Sequence, residues 1–226
     1  MDKLLTVVIP SYNVEKFLNQ TLDSFVCDEA AMKKFEVIVV DDGSKDNTAK
    51  IGKEYADKYP DTFRVISKEN GGHGSTINCG IRNAVGKYFK VVGGDDWVNT
   101  ADFVKLVEAL EKTESEYVFT NYNEYYDDVN RQKAVDFPQF KDGTEYDFAD
   151  VANKVYIPMH ALVIKTSVLK DNNIVIDEKC FYVDVEYVMF PVPFVNKVTF
   201  FDLHVYMYRL ALSTQSVSIL GFQKHI

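Results

Sequence analysis

The sequence predicts an α/β fold with a mainly parallel central sheet flanked by helices and a smaller mixed region in the second half. Three observations predict it. Short, continuous apolar runs recur through the first 122 residues. Between them lie segments whose apolar residues repeat every three to four positions. The runs stop at proline, glycine or paired aspartates. Strands covered on both faces read as unbroken apolar runs, and helices between them imply parallel pairing with right-handed crossovers.

Leu4–Pro10 is the first run, ended by proline, and reads as a buried strand. Val14–Phe25 sets Phe17, Leu18, Leu22 and Phe25 on one helical face. Phe35–Val40 is a second strand, broken by Asp41-Asp42-Gly43-Ser44. Asp46–Lys58 follows as a helix, Phe63–Ser67 as a short strand, and Gly74–Val85 as a helix behind a glycine-rich loop. Tyr88–Val92 is a strand ended by Gly93-Gly94-Asp95-Asp96. Ala101–Lys112 reads as a helix and Tyr117–Tyr122 as a strand. From about Asn123 the pattern changes. Asn123–Phe137 suggests an acidic hairpin, Val155–Ile164, Lys197–Asp202 and Val205–Arg209 suggest strands, and Thr166–Lys170 and Val183–Val195 suggest helices. Pro191 and Pro193 should stop or kink the last of these.

With 226 residues and 46 % apolar types, the chain can bury the core of one domain. We expect residues 1–122 and 123–226 to be two halves of that domain, with a C-terminal extension beyond Ile226 left open. The 34 acidic and 25 basic residues leave a formal charge of −9, which argues against nucleic-acid binding. Cys27, Cys79 and Cys180 share no CxxC spacing, which argues against a disulfide scaffold or a cysteine zinc site. No apolar run approaches the roughly 20 residues of a membrane span, and no signal-peptide pattern follows the first strand. The expectation is a soluble, cytoplasmic chain. Peripheral association at the inner face of a membrane, through a region outside this chain, stays open.

Ligands of open parallel sheets bind beyond the carboxyl ends of the strands. Pro10-Ser11-Tyr12-Asn13, Asp41-Asp42-Gly43-Ser44 and Gly93-Gly94-Asp95-Asp96-Trp97 all fall there. Two Asp-Asp pairs on one rim repel each other unless a cation is bound, and aspartate oxygens suit Mg²⁺ or Mn²⁺. The plainer alternative is that these aspartates make turns and cap helices. The first strand is not followed by the glycines of a dinucleotide-binding turn, and no GxxxxGK[ST] loop exists. A phosphorylation receiver would need a phosphate-accepting aspartate on a later strand, and the chain is too long for one.

These residues resemble glycosyltransferase family 2. The resemblance rests on Val7–Asn13, Val39–Thr48, Glu69-Asn70-Gly71-Gly72 and Gly94-Asp95-Asp96. It continues through Phe181–Tyr187, Tyr206-Met207-Tyr208-Arg209 and Gln215-Ser216-Val217-Ser218. It thus covers nearly the whole chain, in order. It implies the GT-A fold, a nucleoside diphosphate sugar donor, a divalent metal (Mn²⁺ or Mg²⁺), inversion at the anomeric centre, and a glycan or lipid-linked acceptor in cell-envelope polysaccharide biosynthesis. Residue by residue, it implies that Pro10, Tyr12 and Asn13 line the nucleotide and that Asp42 reads a base N–H. Asn70 and Gly71 would approach the ribose and phosphates. Asp95 would hold the metal, with Asp96 near the donor sugar. Asp184 would be the general base. Arg209, Gln215 and Ser216 would close over the diphosphate, while Trp97 and His160 would face the acceptor. His73, in the glycine loop, reads either as a ligand residue or as a loop hydrogen-bonding residue.

There are departures. Gly93 stands where many members have Asp, Thr76 and Ile77 where an Arg contacts phosphate, and Val183 where Glu is usual. Two other readings therefore accompany the transferase: a nucleotidyltransferase, and a non-catalytic sugar-nucleotide binder.

Overall fold

The structure is a computed structural model and describes residues 3–211. The elements run β1 (Leu5–Ser11), α1 (Glu15–Asp23), α2 (Glu29–Met32), β2 (Phe35–Asp41), α3 (Thr48–Lys58), β3 (Phe63–Ser67), α4 (His73–Asn83) and β4 (Tyr88–Val91). Next come β5 (Trp97–Val98), α5 (Thr100–Ala109), β6 (Tyr117–Tyr126), β7 (Arg131–Val135), β8 (Thr144–Asp147) and α6 (Phe148–Ala152). The described chain closes with β9 (Leu162–Lys165), α7 (Thr166–Asp171), α8 (Val183–Met189) and β10 (Lys197–Leu210).

One sheet of the order β3-β2-β1-β4-β9-β6-β10-β5 carries the molecule, with β7 on β6 and β8 on β10. The expected parallel arrangement holds in the first half, where β3, β2, β1 and β4 are all parallel neighbours. The second half is mixed: β9 is antiparallel to both β4 and β6, while β10 runs parallel to β6. Both faces are covered, which is why the strands read as unbroken apolar runs. Along β1, Val7 and Ile9 join Leu18, Leu22, Phe103 and Leu106 of α1 and α5 on one face. Val8 joins Ile77, Leu169, Val183 and Tyr187 of α4, α7 and α8 on the other.

Several elements differ from the expectation. The strand expected over Val155–Ile164 begins only at Leu162, because the preceding residues leave the ladder. The two strands expected near the C-terminus are one, β10, with register shifts between Phe201 and Tyr206. The helix expected over Val183–Val195 stops at Met189, and a 3₁₀ turn over Val192–Phe194 follows Pro191. The short elements α2, β5, β8 and α6 were not anticipated; two to five residues carry too little periodicity to read. Among the described residues, no helix is long and apolar enough to cross a membrane.

Candidate active site

Main-chain hydrogen bonds bring three strand ends together. The Gly94 N–H, after β4, donates to the Pro10 carbonyl of β1 at 3.2 Å, and the Asp42 N–H, after β2, donates to the Ser11 carbonyl at 2.9 Å. Tyr12 projects from this rim and is about half exposed (49 %). Asn13 adopts a left-handed φ of 54° and accepts from the Lys45 N–H at 2.8 Å, which joins the two loops.

Asp42 is 2 % exposed, and four donors meet its carboxylate. The Gly71 and Gly72 amides donate at 3.0 and 2.8 Å, the Lys68 ammonium at 2.7 Å and the Ser75 hydroxyl at 3.4 Å. The Asn70 amide donates to the Asp42 carbonyl at 3.0 Å. Asp42, Asn70 and Gly71 are therefore one unit, and the carboxylate shapes the glycine loop. Asp41 lies alongside, its carboxylate accepting from the Ser44 N–H at 3.0 Å. Gly72 has a φ of 86°, a conformation open to glycine at little cost.

The turn after β4 is held from behind. The Tyr206 hydroxyl donates to Asp96 Oδ2 at 2.5 Å and accepts from the Gly93 N–H at 3.0 Å. Asp96 Oδ1 accepts from the Arg209 N–H at 2.7 Å, and the Thr21 hydroxyl of α1 donates to the Asp96 carbonyl at 2.6 Å. Burial and neighbouring Asp95 push the Asp96 carboxyl well above the usual range. Arg209 is 6 % exposed and its guanidinium is used within the protein. It donates to the Asp95 carbonyl at 2.8 Å, to Gln20 at 2.6 Å and to Asp127 of the β6–β7 hairpin. It also lies against the rings of Trp97 and Phe17, at 4.6 and 5.0 Å from their centroids. Trp97 packs on Arg209 and on Tyr125, and so forms part of the wall behind the turn.

A divalent cation can be tested against this donor set. Both carboxylate oxygens of Asp96 accept hydrogen bonds within the protein, whereas Asp95 is partly exposed and is the carboxylate placed to share a cation. Among the described residues, no group of three or more His, Cys, Asp or Glu could enclose a metal. The residues fit a cation shared with a bound diphosphate, since Mg²⁺ is commonly held by one or two carboxylates together with phosphate oxygens and water.

Asp184 sits in the first turn of α8, behind Tyr182 in a left-handed conformation. The segment before it is pinned to α4. The Asn78 side chain donates to the Ile176 carbonyl at 2.8 Å and accepts from the Ile176 N–H at 2.9 Å. The Lys179 N–H donates to the Gly71 carbonyl at 3.0 Å. Gly74 touches this segment so closely that a Cβ there would lie 2.0 Å from the Asp177 carbonyl oxygen. His73 opens α4, is exposed, and lies in the fields of both Asp184 and Asp42. Thr76, at the position where the resemblance led us to expect an arginine, is buried and its hydroxyl donates to the His73 carbonyl at 2.6 Å, and the adjacent Ile77 is wholly buried in the core.

His160 stacks on Tyr208 at 3.9 Å between ring centroids and meets Tyr206 edge-on at 4.9 Å. Tyr208 in turn lies in the fields of Asp96, Asp95 and Asp184, which raise its pKa after burial has done so. Asp95, Asp96 and Asp184 are thus all near enough to the Tyr208 hydroxyl to act on it electrostatically. Gln215 and Ser216 lie outside the described residues. Sequence reasoning gave no role to Thr21, Asn78, Lys90 or Tyr206. Lys90 carried a signal, as a lone charge inside the apolar run Tyr88–Val92.

Comparison with known proteins gives a consistent picture. The family model for glycosyl transferase family 2 matches residues 6–172 and ends before Asp184. The uncharacterized glycosyltransferase EpsJ of Bacillus subtilis is 37 % identical over 118 residues, which are 52 % of this chain and 33 % of EpsJ. The minor teichoic acid biosynthesis protein GgaB of the same species is 32 % identical over 111 residues, 49 % of this chain and 12 % of GgaB. The chain therefore spans a third or less of these two curated relatives. Staphylococcus aureus TarS, solved with UDP-GlcNAc, superposes with a TM-score of 0.76 at 24 % identity, over 92 % of this chain and 59 % of that one. The mannosyltransferase PcManGT of Pyrobaculum calidifontis, solved with GDP-Man and Mn²⁺, gives 0.65 at 18 % identity, over 92 % and 57 %. At these identities the structures speak for the GT-A fold alone. By the family match over most of its length, the chain belongs to glycosyl transferase family 2.

Proposed function

We propose that this chain is the catalytic part of an inverting glycosyltransferase. It moves a sugar from a UDP-sugar, or another nucleoside diphosphate sugar, to a hydroxyl of a glycan or lipid-linked acceptor. The observation that carries the reading is the family match over residues 6–172, and Asp95, Asp96 and Asp184 all lie near enough to Tyr208 to act on it electrostatically. Leaving-group chemistry and proton removal need carboxylates on one cleft. The names of relatives support the substrate classes: TarS was solved with UDP-GlcNAc and with UDP, PcManGT with GDP-Man and Mn²⁺, and GgaB is named for teichoic acid biosynthesis.

In this reading the acceptor hydroxyl attacks the anomeric carbon while Asp184 takes its proton. The bond from that carbon to the diphosphate oxygen breaks, and the electron pair leaves with the nucleotide. Asp95 would hold a divalent cation, which would supply positive charge to the leaving diphosphate. Pro10, Tyr12 and Asn13 flank the base. Asp42 acts on the nucleotide through the glycine loop that it orders, and Asp41 is the alternative base reader. Arg209 acts through the Asp95–Asp96 turn. Residues 1–122 form the donor side and the rest the acceptor side, with Trp97 and His160 bordering it.

The test is Asp184→Asn. Asn keeps the shape of the Asp184 side chain without its basicity. Transfer should fall by about 10²–10⁴, while calorimetric affinity for the UDP-sugar stays near the parent value. That affinity should drop in EDTA. Parental turnover in Asp184→Asn would mean that Asp184 merely caps α8, and equal affinity in EDTA would remove the cation.

A further inference from the structure

Lys90 is completely buried and has a role in neither the donor nor the base machinery. It belongs to β4, the strand that delivers the Gly93–Asp96 turn. The antiparallel ladder between β4 and β9 has two rungs, Tyr88↔Lys165 and Phe89↔Ile164, and ends there. One residue later the Lys90 ammonium takes over. It donates to the main-chain carbonyls of His160 at 2.8 Å and Leu162 at 3.2 Å. It also sits 5.3 Å from the centroid of the Tyr206 ring.

A lysine is an expensive residue at such a position. Burial lowers its pKa to about 7, and an apolar side chain of the same length would incur no desolvation. What the lysine supplies is donors where the ladder has run out, together with a positive charge beside His160. The groups facing His160 are the Tyr122 ring from β6, the Tyr206 and Tyr208 rings from β10, and Lys90 from β4.

We propose that Lys90 is a positioning residue that fixes the segment carrying His160 against β4 and sets a positive charge beside it, so that the His160–Tyr208 stack is held ready on the acceptor side. The acceptor assignment rests on the glycosyltransferase reading, whereas the effect on His160 does not.

The experiment is an NMR titration of the histidines in the parent, Lys90→Met and Lys90→Gln, with the His160 signal identified by its loss in His160→Asn. In the parent His160 resists protonation well below the usual histidine range. In Lys90→Met its midpoint should rise, because a nearby like charge is removed while burial, the larger cause, remains. Lys90→Gln, which keeps a donor without the charge, should show the same rise, and it stands in should the Met variant fail to fold. In a transfer assay both variants should raise KM for the acceptor while UDP affinity stays unchanged. A His160 midpoint unmoved in whichever variant folds overturns the proposal, even if transfer is lost. A shifted midpoint with no transfer in the parent would instead refute the transferase reading and leave the role of Lys90 toward His160 standing.

Discussion

His160 lies neutral among aromatic rings, because burial and the Lys90 charge hold its pKa down to about 3. An unfolded histidine titrates near 6.5, so between those values the unfolded chain binds a proton that the native chain refuses. Stability from this residue is fully present above about pH 6.5 and is lost as the pH falls toward 3. Each unit in that window is worth about 1.4 kcal/mol. We predict that urea denaturation shows the parent losing stability relative to His160→Asn between pH 6 and pH 4. Parallel profiles would mean that His160 titrates normally. Single residues also mark where sequence reading stops. Asp42 stood out in an Asp-Asp pair at a strand end and Arg209 through the family resemblance, but what their side chains hold depends on loops that are distant in sequence. Gln20 and Arg209 meet across 189 positions, and no local pattern reports that.

The segment before α8 has few regular hydrogen bonds of its own and relies on α4. Asn78 behaves like a strand neighbour there, pairing with both the N–H and the carbonyl of Ile176. Asn78→Ala should destabilise the protein by about 1–3 kcal/mol, because two main-chain groups lose their partner. It should also lower turnover more than donor affinity, since the segment leads to Asp184. Chemical denaturation and a transfer assay check the two parts, and loss of stability with unchanged turnover would separate the segment from catalysis. Element types in the first half were legible because each strand there is buried on both faces and each helix on one. The second half was less so. β10 changes register between Phe201 and Tyr206, and such irregularities erase the period that reading depends on. Asp184 was legible only through the family resemblance, as one acidic residue among several near a short helix.

At the scale of the whole molecule, the boundary drawn at residues 122 and 123 falls inside β6. β9 is wedged between β4 and β6, and β10 follows β6 in parallel from Val198 to Leu210. The two halves therefore share strands and both layers of core. We predict one cooperative transition in urea. Emission from Trp97, the only tryptophan, and far-UV circular dichroism should give superimposable curves. Distinct midpoints would make the halves separate folding units.

Four donors converge on the Asp42 carboxylate, two of them the amides of Gly71 and Gly72. Loop amides normally trade their hydrogens for solvent deuterium quickly, because opening them costs little free energy. These two belong to a knot whose release would leave an ionised carboxylate buried without partners, a far larger penalty than that of an ordinary loop opening. In deuterated water the glycine loop should therefore keep its protons on the timescale of β1 and β2. The nucleotide would then meet a surface already set before it arrives, and binding would bring little further slowing at Gly71 and Gly72.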